Sequence, residues 1–313
     1  MKPERTLIEF IEFWMVNFKM NAIKQSSYDR LITSMNALRK YKIAQKPFDK
    51  VTFFDIQDYV NELVLYGYSL TTIRKQLRIV TAPLKQAAAM RLIPTDPTVG
   101  VRLPARSNVR KKDRKMTAYS EEEQGRLFMY MERTQRTGPW CVGFMIETGL
   151  RVGEALALQW SDVDLAHSKL HVHSTVVRLA NKKQSFVQDS PKSYSSERTI
   201  PLTPKAKEIL RRMKLGNKSS WVFQNHGDRL SYESLRYQTK RLCENAKVPY
   251  CGEHVFRHTF ATNCYYKGID VKILSRLLGH SDVSVTYNTY INLYGDGFDD
   301  MYNALVGSNQ NGR

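Results

Sequence analysis

Residues 253–290 read EHVFRHTFATNCYYKGIDVKILSRLLGHSDVSVTYNTY. His254 and Arg257 stand three apart on one helical face, while Phe256 and Phe260 fall on another, which predicts a helix over His254–Tyr266. A second helix is expected over Val271–Leu278, ending at Leu277-Leu-Gly-His280 with Gly279 at the turn. The segment Ser281–Tyr290 follows. Tyr287, Tyr290 and Tyr294 share one helical face, so periodicity does not choose among them.

Upstream, Thr148-Gly-Leu-Arg-Val-Gly-Glu-Ala-Leu156 starts a helix just after a glycine. Arg151 is expected in its first turn and Glu154 one turn later on the same face. Alone, that pair reads as an ordinary surface ion pair. In Pro191-Lys-Ser-Tyr-Ser-Ser-Glu-Arg-Thr-Ile-Pro201, Lys192 lies in a polar turn between strands and, alone, is a hairpin lysine. Short strands are expected around Leu170, Val172, Val176, Phe186–Gln188 and Thr199–Leu202. Helices are expected at Pro139–Glu147, Arg151–Gln159, Pro204–Met213 and Tyr232–Asn245, and Ser120-Glu-Glu-Glu123 has capping-box spacing. From Met116 onward the chain therefore reads as α+β, mostly helix around a small antiparallel sheet.

The first hundred residues read differently. Leu7, Ile8, Ile11, Trp14, Met15 and Phe18 form one helical stripe, and Tyr28–Leu38, Phe54–Val64 and Thr71–Ala89 behave similarly. Breaks fall at Lys46-Pro47 and Tyr66-Gly67-Tyr68-Ser69. Ser69 is a fitting cap for the helix bearing Arg74, Lys75, Arg78 and Lys85. Pro94, Pro97, Gly100 and Pro104 then end regular structure. The connector that follows is basic: Arg110, Lys111, Lys112, Arg114 and Lys115, with Asp113 the lone acid. Like charges cannot bury themselves, so this is a solvated linker, and its sign suits a linker lying against phosphates. The expected division is a helical domain over 1–103, a linker over 104–116 and a second domain with its tail over 117–313.

The formal charge of +18 over 313 residues sets up a field that attracts polyanions, nucleic acid first among them. Cys141, Cys243, Cys251 and Cys264 form no CxxC pair and read as reduced thiols of a cytoplasmic protein. No export signal or membrane-length apolar run is present. There is no GxxxxGK[ST], no GxGxxG and no acidic cluster of the kind that holds magnesium. His167, His171 and His173 lack the Cys or acid spacing of a metal site and read as surface histidines. No cofactor and no metal are expected, so any cutting of DNA must rest on side chains.

Arg151 in TGLRVGEALAL, the HxxR of His254 and Arg257, LLGH at His280 and a tyrosine ten residues later resemble, in order and spacing, the tyrosine recombinase (phage integrase) family. The resemblance covers nearly all of the second domain. The first resembles the family's helical, SAM-like core-binding domain, with an Xer-like two-domain layout. It implies a mainly α protein and site-specific cutting and rejoining of DNA strands through a 3′-phosphotyrosyl link, as in mobile-element integration or excision. By this resemblance Arg151 and Arg257 clamp the scissile phosphate, and His280 adds a third hydrogen bond. His254 is the candidate base, Lys192 protonates the leaving 5′-oxygen, and Glu154 orients Arg151. Family spacing selects Tyr290 as the nucleophile, although Asn292 stands where many members carry His.

The partners implied are double-stranded DNA, a homotetramer on two duplexes, and an accessory DNA-bending or directionality factor. Phe298–Val306 would be a C-terminal helix passed to a neighbour. A type IB topoisomerase and a silent DNA-binding regulator on the same fold are the alternatives.

Overall fold

The computed structural model describes residues 5–109, 118–178, 185–188 and 197–287. Lys192, Tyr290, Tyr294, the linker residues Arg110, Lys111, Lys112, Arg114 and Lys115, and the expected Phe298–Val306 helix lie outside the described residues. The chain divides into two compact units, one holding residues 5–109 and the other holding residues 118–177, 185–188 and 197–287.

In the first unit the apolar stripes become α1 (Leu7–Phe18), α2 (Gln25–Leu38), α3 (Phe53–Leu65) and α4 (Leu70–Ala89). Thr6 and Thr52 each accept a hydrogen bond from the backbone N–H three residues on, at Glu9 and Asp55, whose carboxylates reach back to the threonine N–H. Ser69 caps α4 by accepting from Thr72 N–H, as its position suggests. Each such cap stabilises its helix by about 1 kcal/mol. Leu7, Ile8, Ile11, Trp14 and Met15 pack with Ile56, Tyr59, Leu63, Ile73 and Leu84 in one core. Arg74, Lys75, Arg78 and Lys85 all face solvent from α4.

The second unit is built around α6 (Thr137–Thr148), of whose twelve residues ten are buried. A helix covered on nearly every side is an axis, and α5 (Glu121–Glu132), α8 (Pro204–Lys214), α9 (Tyr232–Ala246) and α10 (His254–Tyr266) pack against it. Between α6 and α8 run the short α7 (Val152–Ala157) and five strands: β1 (Val163–Asp164), β2 (Lys169–Val172), β3 (Thr175–Arg178), β4 (Ser185–Gln188) and β5 (Arg198–Pro201). β1, β2 and β5 form an antiparallel sheet in that order, with Leu170 opposite both Val163 and Ile200. β3 pairs with β4, and β6 (Gln224–Asn225) pairs with β7 (Asp228–Arg229). α11 (Val271–Leu278) follows α10, and Phe260, Ala261 and Cys264 of α10 pack on Leu274 and Leu278 of α11.

One expectation changes here, and one element is new. The helix expected over Arg151–Gln159 is confined to Val152–Ala157. Leu158 O accepts from Val222 N–H and Trp160 N–H donates to Ser220 O, so pairing with a distant segment takes the groups a last helical turn would use. The β6–β7 hairpin was not foreseen. His226 (φ 53°) and Gly227 (φ 89°) turn it with two left-handed residues, the conformation that matches strand twist in a two-residue loop.

α6 and α11 end alike, at Gly149 (φ 67°) and Gly279 (φ 65°). Left-handed backbone at a helix end favours glycine. At Gly149 the space is closed as well: a Cβ would lie 2.3 Å from the Phe260 ring.

Candidate active site

The site is assembled from four separate places in the second unit: the start of α7, α10, β5 and the end of α11. Arg151 does not sit in the first turn of α7 but immediately before it, as the N-cap residue. Its backbone N–H donates to Glu154 Oε2 at 2.9 Å and its guanidinium to Glu154 Oε1 at 2.7 Å. One carboxylate thus satisfies a free N–H of the helix start and fixes the arginine beside it. Arg257 projects from α10, and its side chain is buried. It donates to Gly149 O at 2.9 Å and Leu278 O at 2.7 Å, and it faces His280 Nε2 at 2.8 Å.

A third arginine completes the group. Arg198, at the start of β5, is 6% exposed and pairs with Glu154 through both terminal nitrogens, at 3.1 and 2.8 Å. Its Nε donates to Leu277 O at 2.6 Å. The consecutive carbonyls of Leu277, Leu278 and Gly279 therefore receive guanidinium N–H groups from Arg198, Arg257 and Arg151 respectively. These carbonyls end α11, where acceptors lack helical partners and the helix dipole is negative. Cations are the natural ligands there.

Arg198 was missed in the sequence. A signal existed: Ile200 is buried on β5 and Arg198 lies two residues before it, hence on the same inward face. A charge at an inward strand position must be paired.

The electrostatics follow from this packing. Burial alone would raise the Glu154 carboxyl, but hydrogen bonds and charge from Arg198, with the charge of Arg151, overcome it and hold the group at about 2. Burial, then the Arg151 charge, pushes Arg257 below its ordinary value, yet a guanidinium stays protonated at neutral pH. Burial and the charges of Arg257, Arg151 and Arg198 bring His280 down to about 4, so its ring is neutral near pH 7. An arginine only donates, so His280 Nε2 accepts from Arg257, and the ring proton sits on Nδ1, 2.7 Å from Thr286 Oγ1. Three guanidiniums face one carboxylate, leaving an excess of two positive charges.

His254 is exposed at the start of α10. Desolvation by its neighbours, with the Arg257 and Arg151 charges, lowers its pKa. His258 meets it edge to face, ring centroids 6.1 Å apart, and is lowered by the same kinds of cause. Tyr287 is 57% exposed. Among the described residues, then, Arg151, Glu154, Arg257 and His280 converge, with His254 alongside.

The other histidines lie apart. His167 and His173 pair with Asp164 and Asp162 at 2.7 and 2.9 Å, and His171 stacks on His173. Among the described residues no group of three or more His, Cys, Asp or Glu is placed to hold a metal, and no helix is long and apolar enough to cross a membrane.

The chain matches known proteins in both sequence and fold. The chain is 26% identical to the tyrosine recombinase XerD of Oceanobacillus iheyensis, over 96% of this chain and 98% of that protein. It is 28% identical to a XerC-like tyrosine recombinase of Caldanaerobacter subterraneus subsp. tengcongensis, over 75% of this chain and 66% of that one. The Tn1549 transposon integrase, solved with transposon right end DNA, superposes with a TM-score of 0.77 at 19% identity, covering 91% of this chain and 95% of that one. A lambda integrase tetramer bound to a Holliday junction gives 0.69 at 17% identity, covering 92% and 78%. The model of the phage integrase family matches residues 120–295, more than half of the chain. The chain belongs to the phage integrase family, the tyrosine recombinases, enzymes that cut and rejoin DNA strands in site-specific recombination.

Proposed function

We propose that Arg151, Arg257 and His280 bind the scissile phosphate of a DNA strand and that Tyr290 attacks it. The observation that carries this reading is the convergence of two guanidiniums and an imidazole in a site with surplus positive charge. Planar guanidiniums suit phosphate oxygens, and donors already in place lower the barrier as charge grows on phosphorus. Tyr290 Oη bonds to phosphorus as the bond to the 5′-oxygen breaks. His254 takes the phenolic proton, and Lys192 returns a proton to the 5′-oxygen. The 3′-phosphotyrosyl link conserves the bond energy for rejoining. A phosphate between Arg257 and His280 brings the negative charge that lets His280 take a second proton and donate from Nε2.

The basic linker (104–116), which carries Arg110, Lys111, Lys112, Arg114 and Lys115, contacts phosphates in this reading. So does the exposed α4 face of Arg74, Lys75, Arg78 and Lys85 in the helical domain (1–103). The protein acts on DNA in the cytoplasm, as a homotetramer on two duplexes, with an accessory DNA-bending or directionality factor as a further partner. The lambda integrase tetramer on a Holliday junction supports that assembly by analogy of fold.

A nicked suicide duplex bearing a site selected from random DNA tests the nucleophile. The wild type becomes a covalent adduct that survives denaturation. Tyr290→Phe binds the site and forms none, while Tyr287→Phe and Tyr294→Phe still trap. Peptide mapping places the nucleotide on Tyr290; finding it on Tyr287 would refute the assignment.

A further inference from the structure

We propose that Arg198 is a positioning residue that holds His280 in register with Arg151 and Arg257 by bridging Glu154 to the end of α11. The inference rests on the reading that those three side chains bind the scissile phosphate. The Arg198 guanidinium is engaged at every nitrogen and spans two elements: both terminal nitrogens on the Glu154 carboxylate of α7, and Nε on the Leu277 carbonyl of α11. His280 begins three residues after that carbonyl, just past the left-handed Gly279.

The three arginines at the α11 terminus differ in what else they must do. Arg151, with a third of its side chain exposed, and Arg257, already facing His280, are both claimed by the phosphate when DNA arrives. Arg198 is not. Its two-sided bond therefore keeps the α11 terminus in place while the other two shift their hydrogen bonds toward the substrate. The planar fork matters: a lysine ammonium at this position is a point donor that reaches either Glu154 or Leu277 O without bridging them.

The test compares Arg198→Met and Arg198→Lys with the wild type on the nicked suicide duplex, at saturating protein. Trapping by Arg198→Met slows by ~100-fold and by Arg198→Lys by ~10-fold, the scale of a displaced reacting group. DNA affinity stays at the wild-type value, and Arg198→Lys, which keeps one of the two contacts, stays folded at the assay temperature with a lowered melting temperature. A second measurement needs no DNA: the His280 ring is titrated by NMR. Four charged or titratable neighbours face it, namely Arg257 and His258 from α10, Arg151 before α7, and Arg198 from β5. Arg198→Met raises the His280 pKa, whereas Arg198→Lys keeps the charge and leaves it near the wild-type value while cleavage still falls.

Wild-type trapping by Arg198→Lys overturns the proposal, as does a loss of affinity that matches the loss of cleavage. If Arg198→Met does not fold, the Arg198→Lys comparison decides alone. A wild type that traps no DNA refutes the phosphate-site reading rather than the bridge. The His280 titration still tests the bridge in that case: an unchanged pKa in a folded Arg198→Met overturns it.

Discussion

Glu154→Gln keeps the shape of the side chain and removes its charge, which isolates the role of the carboxylate. In the wild type the group is 5% exposed and accepts four hydrogen bonds, two from Arg151 and two from Arg198. Holding it at about 2 rather than the ordinary 4.5 corresponds to roughly 3 kcal/mol of stability at neutral pH. Removing one partner of a buried ion pair typically costs about 3–5 kcal/mol. The glutamine amide also turns a donor toward a guanidinium that has only donors. At about 2–4 °C per kcal/mol for a unit of this size, melting of the second unit should fall by ~6–12 °C. Trp140, Trp160 and Trp221 lie in that unit and only Trp14 in the first, so tryptophan fluorescence during urea or thermal unfolding reports mainly on it. The sign with pH is fixed. A carboxyl depressed by folding stabilises fully above 4.5, and that stability is lost as pH falls through 4.5 toward about 2. The gap between wild type and variant should be constant from pH 5 to 7 and close below that. A gap under about 1 kcal/mol at pH 7, or one that persists undiminished at pH 2, refutes the account of this carboxylate.

Two further outcomes test the charge of His280 and the basic face of α4. His280 is depressed to about 4 from 6.5, so in the folded chain it resists a proton that the unfolded chain accepts, and stability drops as pH falls from 6.5 toward 4; His280→Asn should flatten that limb in pH-dependent melting, and an unchanged limb would show that other groups cause it. Arg74, Lys75 and Arg78 should each contribute ~0.9 to the slope of log affinity against log salt, so replacing all three with Ala lowers the slope by about 3 in titrations of a DNA duplex, and an unaltered slope places the phosphates elsewhere.

The periodicities of 3.6 and 2 come from local geometry, so they are visible wherever one face of an element is buried. That is why the stripe from Leu7 to Met15, the cap at Ser69 and the helix carrying His254 and Arg257 could be read directly. The order of Arg151, His254, Arg257 and His280 was equally legible, because their spacing follows the motifs of the family whose model matches residues 120–295. Where α7 stops was not legible. Leu158 leaves the helix because residues 220–222 offer its neighbours better hydrogen bonds, and that competition is invisible at a distance of sixty residues. Nor could any local rule show that Arg198, outwardly one more cation in a basic chain, would meet Glu154 and Leu277. A buried charge is stable only with partners, and those partners come from α7 and α11, on either side of β5 in the sequence. The residue types and their order were thus decided by the sequence itself, whereas the protonation of Glu154 and His280 and the bracing of the α11 terminus follow from tertiary packing, because desolvation and charge proximity exist only once distant segments meet.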